Sequence, residues 1–242
     1  MRSRKDPPAP PDRPPIRLLF AKLKHIGDSL LLTPTLTAVR QAYPDAMIWV
    51  VVRKGCEGIL AGCPAIDRVL TAAAPETGNR SKWNWWLDWQ LIRTLRRQKL
   101  DYAFELSDGD RGRWLVTLAG ARVRCANDAS QSFPAIWRRA FHRLSHHNWL
   151  ADHRVEKDFY TVKDFLPLDS KIPPLVFDPA RTEAWLPAQG WDDFVVVHPG
   201  TRWNRKRWPT EKWREVGCFL ATQFARIVIS SGPDAAEVQA AD

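Results

Sequence analysis

The stretch Ile16-Arg17-Leu18-Leu19-Phe20-Ala21-Lys22-Leu23-Lys24-His25-Ile26-Gly27-Asp28-Ser29-Leu30-Leu31 passes from an apolar run through a glycine–aspartate turn into a leucine-rich segment. Ile16 to Ala21 is a short run, apolar but for Arg17, that reads as a buried strand. After the turn, Leu30, Leu31, Pro34, Leu36, Ala38 and Val39 suit a helix ending near Tyr43-Pro44. Pro34 is tolerated in its first turns, where few intrahelical donors are lost. Strand, turn and helix in this order open an α/β unit. The turn then stands at the carboxyl end of the strand, where such sheets bind ligands.

Working outward, Met47 to Val52 is the next strand, followed by a short helix around Glu57 to Ala61 and a strand at Asp67 to Leu70. A loop at 72–80 precedes a long helix over 82–99. Tyr102 to Leu106 is another strand, a helix spans 110–119, and Val123 to Ala126 is a further short strand. Residues 127–155 read as irregular, basic and histidine-rich, and a helix spans Glu156 to Phe165. Pro167, Pro173, Pro174 and Pro179 mark a linker over 167–190. A second unit over 191–242 begins with the strand Phe194 to Val197. It continues through a cationic loop, a helix over 210–224, a strand over 226–230 and the start of a helix at Gly232-Pro233-Asp234. Alternating strands and helices predict an open, mainly parallel sheet in residues 16–166. Two strands and little more than one helix cannot cover both faces of a second sheet, so the second domain is expected to be partial. Residues 1–15, with six prolines and six charges, read as a disordered tail.

The 242 residues include 36 Lys or Arg against 27 Asp or Glu, a net charge of +9. That balance favours anionic partners such as nucleic acid, anionic lipid or phosphorylated glycans. An apolar fraction of 45% supports a real core. The four cysteines, Cys56, Cys63, Cys125 and Cys218, are too sparse for a disulfide framework and never take CxxC spacing. They argue against structural zinc and for a reducing compartment. No apolar run approaches the ~20 residues that span a bilayer, and the amino terminus has no apolar signal region. A cytoplasmic protein is expected. No GxGxxG, Walker A or HExxH sequence supports nicotinamide, ATP or zincin chemistry.

A second glycine turn, His198-Pro199-Gly200-Thr201-Arg202-Trp203-Asn204-Arg205-Lys206-Arg207-Trp208, is crowded with cations. As a plain feature it is a solvated basic loop, with Trp203 and Trp208 packing locally. As a site it is a diphosphate clamp, with forked guanidinium contacts, the Lys206 point charge and the Thr201 hydroxyl. Asp28 has two readings as well. It caps a helix start by accepting backbone N–H groups, or it is a general base for a sugar hydroxyl. Gly27 either makes the turn or permits close approach of a ligand, and His25 either lines that site or is a loop histidine. A carboxylate and a cationic pocket suit transfer of a sugar from a nucleotide diphosphate to a hydroxyl. His142, His146, His147 and His153 lack the spacing of a metal site and read as a basic surface segment. In the helix over 82–99, Leu87, Leu91 and Leu95 form a stripe expected to face the core. Its tryptophans and arginines exceed what that stripe requires: they read as extra core and loop packing, or as an interfacial patch for anionic lipid or lipid-linked glycan.

Lys24-His25-Ile26-Gly27-Asp28-Ser29-Leu30-Leu31-Leu32-Thr33-Pro34, Ala42-Tyr43-Pro44-Asp45-Ala46, His198-Pro199-Gly200-Thr201-Arg202 with Lys206 and Trp208, and Ser231-Gly232-Pro233-Asp234, in this order, resemble glycosyltransferase family 9. These are the lipopolysaccharide heptosyltransferases, and the pattern looks most like the heptosyltransferase III type. The resemblance implies a GT-B type α/β fold. Its Rossmann-like amino-terminal domain, here 16–166, would bind the lipid-linked core oligosaccharide acceptor, and its carboxyl-terminal domain, here 191–242, would bind ADP-heptose. Transfer would invert the anomeric centre with no bound metal or cofactor, at the inner face of the inner membrane, with no nucleic acid involved. Asp28 maps onto the family's candidate base and Lys206 onto its diphosphate contact, with Thr201 and Arg202 at neighbouring donor positions and Gly27 and His25 beside the acceptor. The family's later Asp-x-Gly-x-x-His segment would fall past Asp242, so the chain reads as truncated at its carboxyl end. Two other readings stand beside this one: an inactive truncated remnant, and a non-catalytic basic module for anionic glycolipid or nucleic acid.

Overall fold

Every strand of the first sheet runs parallel to its neighbours, in the spatial order Arg68–Ala72, Met47–Arg53, Arg17–Lys22, Tyr102–Glu105, Val123–Asn127 and Arg143–Ser145. The computed structural model describes residues 16–73, 82–129, 133–147, 153–178, 190–201 and 206–232. The tail at 1–15, most of the loop before the long helix, and the helix expected after Gly232 lie outside the described residues. The chain divides into two compact units, with the boundary between Asp178 and Pro179.

In the first unit, β1 (Arg17–Lys22) leads into a short α1 (Ile26–Leu30) and then α2 (Thr33–Ala42). β2 (Met47–Arg53), a single 3-10 turn (Glu57–Leu60) and β3 (Arg68–Ala72) follow. Next come α3 (Lys82–Arg97), β4 (Tyr102–Glu105), α4 (Asp110–Leu118) and β5 (Val123–Asn127). The unit closes with α5 (Ala135–Ala140), β6 (Arg143–Ser145) and α6 (Arg154–Lys163). α5 and β6 correct the expectation that 127–155 is irregular. β6 has only the sequence Arg-Leu-Ser and pairs with Cys125 to Asn127 at the sheet edge, so it carries no apolar run to announce it.

The continuous apolar strands are explained by burial on both faces. Leu18, Phe20, Ile48 and Val50 pack with Leu36 and Val39 of α2 and Phe159 and Val162 of α6. Leu19, Ala21, Val51 and Ala103 pack with Leu91 and Leu95 of α3, Leu115 and Val116 of α4 and Trp137 of α5. Each fully buried large aliphatic side chain contributes ~1.5–3 kcal/mol. Phe20 and Phe104, register partners on β1 and β4, stack with centroids 5.0 Å apart. Leu87 corrects the expected leucine stripe. Leu91 and Leu95 are buried, but Leu87 is 39% exposed. Leucines four residues apart drift around a helix of 3.6 residues per turn, and the position turned inward is Asp88, which accepts from Ala73 N at 3.2 Å and pairs with Arg111 on α4.

The proline-marked segment after α6 remains with the first unit as far as Asp178: Leu166 and Leu168 are buried in its core and Val176 N donates to Thr33 Oγ1 at 3.0 Å. In the second unit β7 (Phe194–Val197) pairs in parallel with β8 (Arg226–Ile229), and α7 (Thr210–Ala221) connects them. Val196, Phe219 and Ile229 are more than half exposed there.

Candidate active site

β1 has β2 on one side and β4 on the other, and the winding of the sheet reverses there. The chain leaves β1 toward α2 on one face and leaves β4 toward α4 on the opposite face. Between these diverging exits an open α/β sheet has its ligand crevice. Glu105 is the last residue of β4, and Asp28 and Asp108 follow the carboxyl ends of β1 and β4.

Asp28 is the third residue of α1, not its N-cap. That position belongs to His25, whose extended backbone turns the chain into the helix. Asp28 Oδ2 accepts from His25 N at 3.3 Å, so the carboxylate does close the helix start from inside the first turn. Its other oxygen, Oδ1, is 3.5 Å from Arg154 Nε in the first turn of α6, and the Asp28 side chain keeps 24% of its surface exposed. One carboxylate thus has a fixed orientation, a cation beside it and an open side.

Arg154 also donates through Nη1 to Asp108 at 2.9 Å. Asp108 sits in the loop after β4 with φ at 57°, a left-handed conformation that Asp tolerates better than most residues. It accepts from Lys157 Nζ at 2.6 Å, and Lys24 Nζ lies 3.4 Å away. Burial opposes ionisation of Asp108. The ammonium of Lys157, then Lys24 and Arg154, outweigh it and hold the carboxyl well below the usual carboxylate range. Beneath this cluster, Lys22 of β1 donates to Asp158 of α6 in a fully buried pair. Burial pushes the Asp158 carboxyl up and Lys22 pulls it back in part. Glu105, buried at the end of β4, is pushed up to about 7 by desolvation first and by the Asp108 charge second. Ser107 ties the two strand ends together: its Oγ donates to Ala21 O at 3.1 Å and accepts from Leu23 N at 2.7 Å.

Lys22, Lys24, Arg154 and Lys157 outnumber Asp28, Asp108 and Asp158 here, and burial works against a further negative charge on Glu105. The crevice therefore has positive excess, which suits an anionic ligand. Sequence reasoning named Asp28 and missed Asp108, Arg154 and Lys157. The signal available was Ser107-Asp108-Gly109-Asp110, a polar turn placed directly after a buried strand.

Gly27 is exposed, and a Cβ built on it meets nothing within 4 Å, so the fold itself does not require glycine there. His25 is also exposed, beside it. In the second unit, His198 Nδ1 and Ser230 Oγ are 3.0 Å apart at the carboxyl ends of β7 and β8. Thr201 is half-buried, its carbonyl accepting from Arg207 Nε at 3.3 Å, and Lys206 is exposed. Arg202 and Trp203 lie outside the described residues. Trp208 packs edge-on against Trp213 of α7 at 5.3 Å. The histidines of the basic segment serve separate local contacts: His142 Nδ1 accepts from Arg124 N at 3.0 Å, His146 meets Asp128, His147 meets Asp164 at 3.3 Å, and His153 caps α6. Among the described residues no group of His, Cys, Asp and Glu is placed to hold a metal ion, and no helix is long and apolar enough to cross a membrane.

Residues 88–242 match the family model of glycosyltransferase family 9 (heptosyltransferase). The chain is 29% identical over 215 residues to lipopolysaccharide heptosyltransferase 3 of Escherichia coli, covering 86% of this chain and 62% of that protein. It spans, then, less than two thirds of that relative's length. Its fold is similar to the crystal structure of a family 9 glycosyl transferase from Veillonella parvula, with a TM-score of 0.73 at 18% identity over 93% of this chain and 65% of that one. It is equally similar, with a TM-score of 0.73 at 23% identity over 93% and 71%, to E. coli heptosyltransferase WaaC with ADP-2-deoxy-2-fluoro heptose. At these identities the likeness is one of fold, the GT-B type.

Proposed function

Because the chain belongs to glycosyltransferase family 9, the heptosyltransferases, we propose that it moves heptose from ADP-heptose to the inner core of lipopolysaccharide, with inversion, at the cytoplasmic face of the inner membrane. Asp28 is the general base. The carboxylate takes the proton of an acceptor hydroxyl, and that oxygen bonds to the anomeric carbon from the face opposite the leaving group. The bond from the anomeric carbon to the phosphate oxygen breaks, and its electron pair departs with ADP. Lys206, with Thr201 and Arg202, neutralises the diphosphate as its charge grows. The positive excess around Lys24, Arg154 and Lys157 draws an anionic, phosphorylated core acceptor toward the crevice.

The observation that carries this reading is the setting of Asp28. It is partly exposed at the switch point, oriented by His25 N and Arg154, beside a glycine whose missing side chain no packing contact explains. Orientation of this kind is what a general base needs, ahead of any adjustment of its basicity. The test is a mass-resolved assay with ADP-heptose and a purified inner-core acceptor. One added heptose, with ADP released in equal amount, is expected from the native chain and not from Asp28→Asn. Equal turnover by both chains would remove Asp28 from the mechanism.

A further inference from the structure

Helices α3, α4 and α5 are tied into one layer. Arg111 of α4 pairs with Asp88 of α3, and Trp137 Nε1 of α5 donates to Asp110 Oδ1 of α4 at 2.9 Å. The inner side of the layer is core. Its outer side is not the usual mixture of acids and lysines. Of the eight large hydrophobic side chains exposed among the described residues of the first unit, five belong to this layer: Trp86, Leu87, Trp89, Trp114 and Ile136. On α3, Trp86, Trp89, Arg93, Arg96 and Arg97 fall at helical spacing on one stripe, opposite the buried Leu91 and Leu95. Trp89, Ile92 and these three arginines line an open groove of about 470 Å³.

The charge of the layer is one-sided. The three helices carry eight Lys or Arg and two carboxylates, Asp88 and Asp110. Both carboxylates are already matched, by Arg111 and Arg113. Exposed tryptophans beside exposed arginines are the composition of a surface that rests in the headgroup region of a membrane, where an indole is apolar on its body and polar at its N–H. A second copy of this face would bring arginine against arginine, so self-association is disfavoured by the same charges.

We propose that the outer face of α3, α4 and α5 is the surface by which this protein docks on an anionic phospholipid bilayer. Trp86 and Trp114 enter the interface, and the groove of Arg93, Arg96 and Arg97 takes lipid headgroup phosphates through forked guanidinium contacts. The membrane-side location proposed above gives this surface its setting. Vesicle binding needs no sugar transfer, so failure of one reading is distinguishable from failure of the other.

The test is co-sedimentation of the full chain with vesicles of phosphatidylcholine alone and of phosphatidylcholine with an equal part of phosphatidylglycerol. Binding is expected to the anionic vesicles only, falling as salt rises. Arg93→Gln, Arg96→Gln and Arg97→Gln together should weaken it about a hundredfold. Trp86→Ala with Trp114→Ala should weaken it while leaving every charge in place. Removing three exposed lysines elsewhere, Lys54, Lys171 and Lys212 to Gln, should change it by less than about threefold, which separates this face from net charge. The circular dichroism and melting of each variant establish that it is folded. Absence of binding to anionic vesicles, equal loss in the lysine variant, or dimerisation through this face in place of vesicle binding each overturns the proposal.

Discussion

Arg154 Nε stands 3.5 Å from Asp28 Oδ1 while the same guanidinium donates through Nη1 to Asp108 at 2.9 Å. The candidate base is therefore held by a residue that is itself held. Asp108 fixes the plane of the guanidinium, and the guanidinium presents its Nε edge to Asp28. Replacing Arg154 by Met keeps most of the side-chain volume and removes both contacts. Turnover should fall about 10²-fold through loss of orientation, with the Michaelis constant for the donor little changed. Arg154→Lys should recover part of the rate, because it restores the charge but not the fork. Steady-state kinetics on both variants decide the matter. Unchanged turnover in a folded Arg154→Met chain would make Arg154 purely structural.

The two carboxyls at the end of β4 give the fold opposite pH responses in separate windows. Asp108 is depressed in the folded state, so its stabilisation is present above its unfolded value and is lost as the medium becomes more acidic than that. Glu105 is raised to about 7 by burial and by Asp108. From roughly pH 4 upward the unfolded chain has released this proton while the folded chain keeps it, so stability declines until the pH passes about 7. Glu105→Gln removes that decline. Relative to the native chain, the variant should gain roughly 2 to 3 kcal/mol between pH 5 and pH 8, read by urea unfolding at both values. A constant difference across that range would mean that Glu105 is already ionised in the folded protein.

The parallel sheet was legible because its central strands are unbroken apolar runs, and Gly27-Asp28 was legible because it interrupts one of them at the right end. What escaped has the opposite character. β6 is three half-polar residues at a sheet edge. Arg154 lay just outside the helix expected from Glu156 onward, within a segment whose histidines dominated its reading. The partners of Asp108 come from 46 and 49 positions further along the chain, a separation at which spacing carries no information. Leu87 shows the same limit on a smaller scale. A leucine every fourth residue predicts a stripe, but only the neighbouring α4, with Arg111 reaching to Asp88, decides which edge of that stripe turns inward.

Gly112, in the first turn of α4, makes the close approach of that helix to the end of β4 possible. A Cβ there would collide with Glu105 Oε1 and lie 2.9 Å from Ser107 Oγ, both buried. An alanine in a helix is ordinarily favourable by about 1 kcal/mol over glycine. Here overpacking should reverse the sign, and Gly112→Ala should lose about 1–3 kcal/mol in chemical unfolding. Because the collision displaces Glu105, the combination Gly112→Ala with Glu105→Ala should lose less than the two single changes added together. Simple additivity in that double-mutant cycle would locate the strain elsewhere.

Lys206 tests the donor side independently of Asp28. It is exposed in the second unit, just ahead of Trp208, which rests on Trp213 of α7. Lys206 is exposed, so Lys206→Ala should melt like the native chain. If its ammonium contacts the diphosphate, one charge-assisted contact is lost, and affinity for ADP should drop about 10- to 100-fold by calorimetry. Raising ionic strength should narrow the gap between the two chains, because the contact is exposed to screening. Adenosine discriminates further: lacking the diphosphate, it should bind both chains alike. An equal loss for ADP and adenosine would mean that the substitution disturbs the nucleoside pocket, and the diphosphate would have to be assigned to another cation of the second unit, of which Arg205 and Arg207 are the nearest in sequence.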